Sequence, residues 1–489
     1  MQHEYKSTAK SLERLTQSET EEVKDNRPQP NDFCSFLPWA CNQYQLESTV
    51  VITKVIQSEY VSVGLADKSR KTRTTRQNTS RRTLTSSEGK EEKSPDDLPQ
   101  LMGSQKIIKI LAYCDLFGNL VELKFDKNKQ LPCLIFKIMA LIIKYQTYLT
   151  RITINGGMDM QTIYEMDKFL YFTNITEICF DNSFFPEANY DLLFEGRNKI
   201  RYISLSRCKI DDAVVENIAK KLAYPLPASK FLTALILSSN RITDRGVVPL
   251  AKALRSNRQL SYISLADNSL TDDGVGLILD SLTEFLLTEE EVIDARSRYM
   301  YYLKEKNVMV KSMIKELRAG EFDKTVAKRK ASKPVTASSK KKKLEKESSL
   351  KSLGDSRSNP NLDYLFYDKA VNIVEERLGE FNDPFSSSNT SVKDGMKYCY
   401  GNNAVCYLNL AYNSISYISL KKLSNVLMSQ KLFDRKPRGL VNICVEGNNL
   451  PVSCKELSQI EDLLKAALMS IDYRMSTVKR KPTSKNTPR

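Results

Sequence analysis

Residues 232–242 read LTALILSSNRI: Leu232, Leu235, Leu237 and Ile242 keep the spacing L-x-x-L-x-L-x-x-N-x-L, with Asn240 between the last two. The alternation about Leu235 and Leu237 is the period of a strand with one buried face. The stretch that follows, VVPLAKAL from Val247, has the period of a helix with one buried stripe. A strand and a helix of this length leave an apolar side uncovered, so the unit needs copies of itself. They are present. IRYISLSRCKI starts at Ile200, LSYISLADNSL at Leu260, VCYLNLAYNSI at Val405 and LVNICVEGNNL at Leu440. Weaker copies start at Leu120 (LVELKFDKNKQ), Leu149 (LTRITINGGMD) and Ile175 (ITEICFDNSFF). Successive starts are separated by 29, 26, 25, 32, 28, 145 and 35 residues.

Units of near-constant length that stack their cores are the mark of a solenoid. The pattern resembles the leucine-rich repeat, and intervals near 28 residues resemble its ribonuclease-inhibitor type, which pairs each strand with a full helix. The expected fold is therefore α/β: a horseshoe of about eight repeats with disordered basic tails and one long insertion. Leu232, Leu235, Leu237 and Ile242 point inward, and the Asn240 amide is placed to satisfy backbone groups of the neighbouring turn. Asn268, Asn413 and Asn448 extend that ladder, with Cys208 as a small buried substitute rather than a redox or metal ligand. Asp211-Asp212, Thr243-Asp244, Thr271-Asp272 and Asp273 supply helix-start chemistry: side-chain oxygens for free N–H groups and negative charge at the positive end of the dipole.

Catalysis is not expected. The chain has a single histidine, His3, and no P-loop, G-x-G-x-x-G, H-E-x-x-H or G-x-S-x-G motif. The ten cysteines form no C-x-x-C pair, so neither zinc nor a disulfide framework is expected, and no cofactor is. No apolar run reaches membrane-spanning length, and MQHEYKSTAK lacks an apolar signal core, so the expectation is an intracellular protein without membrane attachment.

The net charge of +15 is concentrated outside the repeats. Residues 68–82, KSRKTRTTRQNTSRR, carry seven basic residues and no acidic one. Residues 324–346 contain Lys340, Lys341, Lys342 and Lys343, and the chain closes with VKRKPTSKNTPR. Such composition suits solvated arms that meet an anionic protein surface, bind nucleic acid or carry a nuclear-import signal, and equally a linker with no fixed partner. The expected organisation is a mostly disordered basic region at 1–105, repeats 1–6 at 106–286, an insertion at 287–400, repeats 7–8 at 401–470 and a basic tail at 471–489. Residues 33–65, with the lone Trp39 and many β-branched residues, read as an island that orders on a partner.

About 117 of the 145 residues between Leu260 and Val405 exceed one repeat, so they loop out on the helix-to-strand edge and leave the flanking repeats free to stack. The insertion opens with a helical stretch at 288–318, in which Ile293, Met300, Asn307 and Ile314 alternate with Arg296, Leu303, Val310 and Leu317 as an a/d seam. Two readings stand for that seam: a helix folded back on the convex face, or a coiled-coil helix for a partner. LDYLFYDKAVNIVEERLGEF, beyond the lysines, is amphipathic enough to dock back.

A late interruption by EEEVIDAR and a lysine-rich tract before the last repeats resembles the family of leucine-rich-repeat-containing protein 71. That resemblance implies a non-enzymatic scaffold or adaptor of the axoneme of motile cilia or sperm flagella, cytoplasmic and cytoskeletal, with basic arms against acidic tubulin tails. The alternative is a nuclear or cytosolic regulatory adaptor, for example in a small-GTPase pathway. Independently of the family, residues between the inward leucines line the concave face. Mixed charge in the first turns (Glu122, Lys124, Arg151, Glu177) gives way to Tyr202, Ser204, Tyr262, Ser264, Tyr407 and Asn409, with Tyr412 nearby, an uncharged aromatic stripe suited to a protein partner and unsuited to nucleic acid.

Overall fold

The computed structural model describes residues 27–56, 106–196, 198–331, 360–432 and 435–478. The chain forms two compact units: residues through Leu282 together with those from Asn402 onward, and the intervening Thr283–Gly401.

In the first unit, α1 (Phe33–Gln43) precedes β1 (Ser48–Ile56). β2 (Lys106–Cys114) runs parallel to β1, and β3 (Leu120–Phe125) returns antiparallel to β2. Strand and helix then alternate: α2 (Cys133–Ile142), β4 (Arg151–Ile154), α3 (Met160–Leu170), β5 (Glu177–Cys179), α4 (Leu192–Glu195), β6 (Tyr202–Ser204), α5 (Asp212–Leu222), α6 (Ala228–Phe231), β7 (Ala234–Ile236), α7 (Asp244–Ser256), β8 (Tyr262–Ser264) and α8 (Asp272–Ser281). The second unit contributes β9 (Phe285–Leu286), α9 (Glu289–Ala331), α10 (Pro360–Leu378), β10 (Thr390–Lys393) and β11 (Met396–Cys399). The first resumes with β12 (Tyr407–Asn409), α11 (Tyr417–Leu432), β13 (Asn442–Cys444) and α12 (Lys455–Val478).

All strands of the first unit join one ten-stranded sheet, ordered β1 to β8, then β12, then β13, and from β3 onward every pair is parallel. β12 pairs directly with β8, Tyr407 opposite Tyr262, so the turns on either side of the insertion stack as though it were absent. The middle residues Leu123, Ile152, Ile178, Ile203, Leu235, Ile263 and Leu408 are aligned across the sheet and fully buried, each contributing about 1.5–3 kcal/mol of transfer free energy.

An amide ladder closes the end of each turn. Asn240 accepts from the N–H groups of Cys208 and Ile210 and donates to the Leu205 and Leu237 carbonyls, all within 2.9–3.1 Å. Asn268, Asn413 and Asn448 repeat the arrangement, and Asn413 bridges to Leu265 and Leu270 across the insertion point. Where the ladder residue is not Asn, the substitute still bonds: Cys208 Sγ donates to Phe180 O at 3.1 Å, and Ser183 Oγ donates to Ile154 O at 2.7 Å. The residue before each ladder position takes a left-handed backbone, at Lys127, Asn182, Arg207, Ser239, Asp267 and Tyr412 and, as glycine, at Gly156 and Gly447. That conformation is unfavourable for L-residues, and the tight turn imposes it.

A second ladder, of carboxylates, runs along the helix starts. Asp212 accepts from the N–H and hydroxyl of Thr243, and Asp244 does the same for Thr271. Asp272 accepts from the N–H groups and hydroxyls of Ser416 and Ser419. Each acid therefore braces the N-cap of the next helix. Gly246 and Gly274 are glycine because a Cβ there would collide with the Asp212 and Asp244 carboxylates.

Two expectations need correction. Within the region 1–105, residues 27–56 fold into α1 and β1 on the chain's own core rather than on a partner. Phe33, Phe36, Leu37, Ala40 and Cys41 bury against the common core, and STVVITKVI pairs in register with KIIKILAYC. The island at 33–65 thus completes this sheet as far as Ile56. The second correction concerns the seam on α9. Within its own unit, Val310, Met313, Ile314 and Leu317 pack on Ala370, Val371 and Val374 of α10, while Ile293 and Met300 are 59% and 53% exposed. The short α10 covers only the middle of the longer α9, so the seam serves a helical hairpin in one half and is open in the other. The docking expected of LDYLFYDKAVNIVEERLGEF takes this form. A three-stranded antiparallel sheet, β10-β11-β9, closes the unit over Phe285, Leu287, Phe385 and Cys399. Asp383, 1% exposed, receives the Arg298 guanidinium at 2.6 and 3.2 Å.

Candidate protein-binding face of the sheet

Strand periodicity that sends Leu235 inward sends its neighbours to the opposite face, where register arranges them in two rows. The first row runs Glu122, Arg151, Glu177, Tyr202, Ala234, Tyr262, Tyr407, Asn442. The second runs Lys124, Thr153, Cys179, Ser204, Ile236, Ser264, Asn409, Cys444.

The two halves of this face differ in chemistry. At the β3–β5 end, Arg151 lies between Glu122, at 3.6 Å, and Glu177, which accepts from its Nε at 2.8 Å. Thr153 Oγ1 donates to Glu122 at 2.9 Å. These charges satisfy one another and leave little unbalanced field. From β6 to β12 the first row carries no charge at all. Tyr262 and Tyr407 stack face to face, centroids 4.1 Å apart and planes within 3°. The spacing of neighbouring strands brings the two rings into contact. Burial, then the neighbouring Tyr407 hydroxyl, push the Tyr262 phenol up. Burial, then Cys179 and Asp181, push Tyr202 up to about 12. Both phenols therefore stay neutral at physiological pH, each with apolar ring area and a hydroxyl. Cys179 is pushed up to about 12, first by burial and then by Asp181, which removes the thiolate that nucleophilic chemistry requires.

The structure brings Tyr202, Tyr262 and Tyr407 into one row, with Ala234 interrupting it after Tyr202. Ser204 and Ser264 share the face but are buried, 2% and 3% exposed, with their hydroxyls turned to Asp181 and Ser238 at 2.6 and 2.7 Å. They build the face rather than present it, because short side chains sink between larger neighbours. The Asn409 side-chain Oδ1 accepts locally from the Ala411 N–H at 3.0 Å. Tyr412 is 62% exposed but lies on the left-handed turn after β12, against Gly447, outside both rows. Lys340, Lys341, Lys342 and Lys343 lie outside the described residues. Sequence reading missed the carboxylate ladder, whose signal was the recurrent Asp one residue after the helix cap followed by Gly246 and Gly274. Among the described residues no three His, Cys, Asp or Glu side chains gather as a metal cluster, and no helix is long and apolar enough to cross a membrane.

Residues 228–251, which run from α6 through β7 into α7, match a protein-family model described as leucine-rich repeat. That turn is similar to the leucine-rich repeat, and the turns beside it repeat its strand, amide ladder and helix. Among curated proteins the chain is similar to the human NACHT, LRR and PYD domains-containing protein 14, 32% identical over 98 residues, 20% of this chain and 9% of that protein. The chain thus spans under a tenth of that relative's length. Solved structures with detectable likeness include an internalin from Listeria monocytogenes, at 11% identity and TM-score 0.28 over 72% of this chain and 63% of that one. Another is leiomodin-1 actin-binding site 2, at 19% identity and TM-score 0.19 over 38% of this chain and 98% of that one.

Proposed function

We propose that the chain is a non-enzymatic scaffold whose uncharged tyrosine row, on the concave side of a ribonuclease-inhibitor-type horseshoe of about eight repeats, grips a protein segment. The observation that carries this reading is the row itself. On a chain with net charge +15, the sheet face from Tyr202 to Tyr407 bears only uncharged side chains in its two rows, with the three tyrosine rings half-buried. Tyrosine supplies apolar area at low entropic cost, and a solvated face without a partner gains nothing from excluding charge.

The setting we propose is the axoneme of motile cilia or flagella, with the basic segments lying on acidic tubulin tails. The late lysine-rich interruption, which resembles the family of leucine-rich-repeat-containing protein 71, supports it, as does the run of Lys340, Lys341, Lys342 and Lys343 in the sequence between two repeats. Two measurements test the proposal. Tagged full-length protein in a ciliated cell should line the axoneme, whereas a nuclear signal would favour the import reading of the lysines. Tyr262→Ala with Tyr407→Ala should weaken partner capture tenfold or more without lowering the melting temperature of the repeats by more than about 2 kcal/mol of stability would. Undiminished capture would remove the tyrosine row from the account.

A further inference from the structure

The two ends of the ten-stranded sheet are unlike. β13 ends it with three residues, and β1 ends it with nine. Along the side of β1 that faces away from β2, no backbone group has a partner among the described residues. A row of free N–H and C=O groups is a template for another strand, and proteins usually blunt such edges with shortness, charge, proline or a bulge. β13 is blunt because it is short. β1, Ser-Thr-Val-Val-Ile-Thr-Lys-Val-Ile, is long, pairs with β2 without a bulge, contains no proline and is mostly β-branched. Its one charge, Lys54, is directed to Asp32 of α1 at 3.7 Å. Val51 and Ile56 are 45% and 71% exposed, and Ile107 on β2 is 54% exposed.

We propose that β1 is a dimerisation edge, pairing antiparallel with β1 of a second copy of this chain about a two-fold axis through Ile52. The strand's own sequence is its complement. Centring on Ile52 uses all nine residues and keeps both core-facing sets, Val50 and Ile52, on one side of the joined sheet. Directly opposed residues share a face in an antiparallel pair, so Thr49 meets the partner's Val55, Val51 meets the partner's Thr53, and Lys54 meets the partner's Val50. No like charges oppose each other. Centring two residues later, on Lys54, would set lysine against lysine. A head-to-tail arrangement through β13 would offer only three residues of ladder, so the closed two-fold pair is favoured over an open filament. This inference is independent of the tyrosine row. Its consequence for that row is two binding faces per particle, which strengthens attachment to any repeating lattice through effective concentration.

The test is sedimentation velocity and light scattering of the purified full-length chain from low- to high-micromolar concentration. The proposal expects a species of twice the chain mass that dissociates on dilution, with β1 amides protected from hydrogen exchange at high concentration and exposed at low concentration. Val51→Lys with Thr53→Lys, both on the exposed side, places lysine opposite lysine across the axis and should halve the mass, while Val51→Thr should leave the dimer intact. A monomer at every concentration would overturn the proposal, and so would a dimer that survives the double-lysine variant. The exchange measurement on the unaltered chain decides independently of how the variants fold: β1 protection that does not change with concentration contradicts the dimer, whether residues 57–105 or nothing covers the edge.

Discussion

Where β8 meets β12, the repeats are joined by the same amide bridge that joins β7 to β8. Asn413 serves there as Asn268 serves one turn earlier. The intervening unit, Thr283–Gly401, has no such redundancy. Its helical hairpin rests on a few side chains of α9 and α10, and its loop after α10 is held to α9 by the buried pair Arg298 with Asp383, by Phe381 against the Tyr299 and Tyr302 rings, and by the Tyr302 hydroxyl donating to Gly379 O. The comparison teaches how stability is distributed. A repeat shares its polar satisfaction with both neighbours and is insulated from single losses elsewhere, whereas the insertion depends on contacts that occur once.

The sharpest way to break this contrast is Asp383→Ala. Removing one partner of a buried pair costs about 3–5 kcal/mol, and here it takes away the carboxylate that accepts from both the Arg298 guanidinium and the Phe385 N–H. Hydrogen exchange should show amides of residues 298–318 and 364–386 losing protection while those of 200–282 keep theirs. Loss of protection across the repeats as well would mean the two units do not fold separately. A smaller effect, about 3 kcal/mol, is expected for Asn413→Ala, which removes bonds to the Leu270 N–H and the Leu265 and Leu410 carbonyls at about 1 kcal/mol net each. Denaturant unfolding should show this loss with an unchanged slope. An effect below about 1 kcal/mol would mean that the ladder is not what seals the junction.

The smallest effect is a dependence on pH. Burial opposes ionisation of Asp272, and hydrogen bonds from Ser416 and Ser419 outweigh it, holding the carboxyl below its ordinary range. Because the folded value lies under the unfolded one of about 3.9, the stabilisation is complete above that pH and is lost as pH falls through the folded value. Asp272→Asn should therefore flatten the acid limb of the stability profile below about pH 4 and leave the neutral limb parallel to that of the unaltered chain. An unchanged acid limb would remove Asp272 from the carboxylate ladder's contribution.

The repeats were legible in the sequence because a period states the same fact many times: Leu235, Ile263 and Leu408 each announce an inward strand position, and Asn240 foretells Asn413. The cap was not legible, since α1 and β1 have no copy elsewhere and the partner of STVVITKVI, KIIKILAYC, lies 58 residues further along, beyond a basic segment. The hairpin of α9 and α10 was half legible. A heptad seam shows that Val310 and Leu317 want a partner, but not that a short α10 would supply it to one half and leave Ile293 and Met300 open. On the candidate face the tyrosines were placed by period alone. The burial of Ser204 and Ser264 was not, because depth on a sheet depends on the size of cross-strand neighbours, which a single strand does not reveal.

The central claim is that the repeats close on themselves across the insertion. The Asn402 N–H donates to Ser281 O at 2.8 Å, so the points of departure and return are adjacent. Excising residues 283–401 and joining Leu282 to Asn402 through a short Gly/Ser linker tests that claim, with hydrogen exchange at 262–264 and 407–409 as the readout. The account predicts that these amides stay protected and that unfolding remains a single cooperative transition. Exposure of the 407–409 amides, with α11 and α12 unfolding as a separate step, would contradict it.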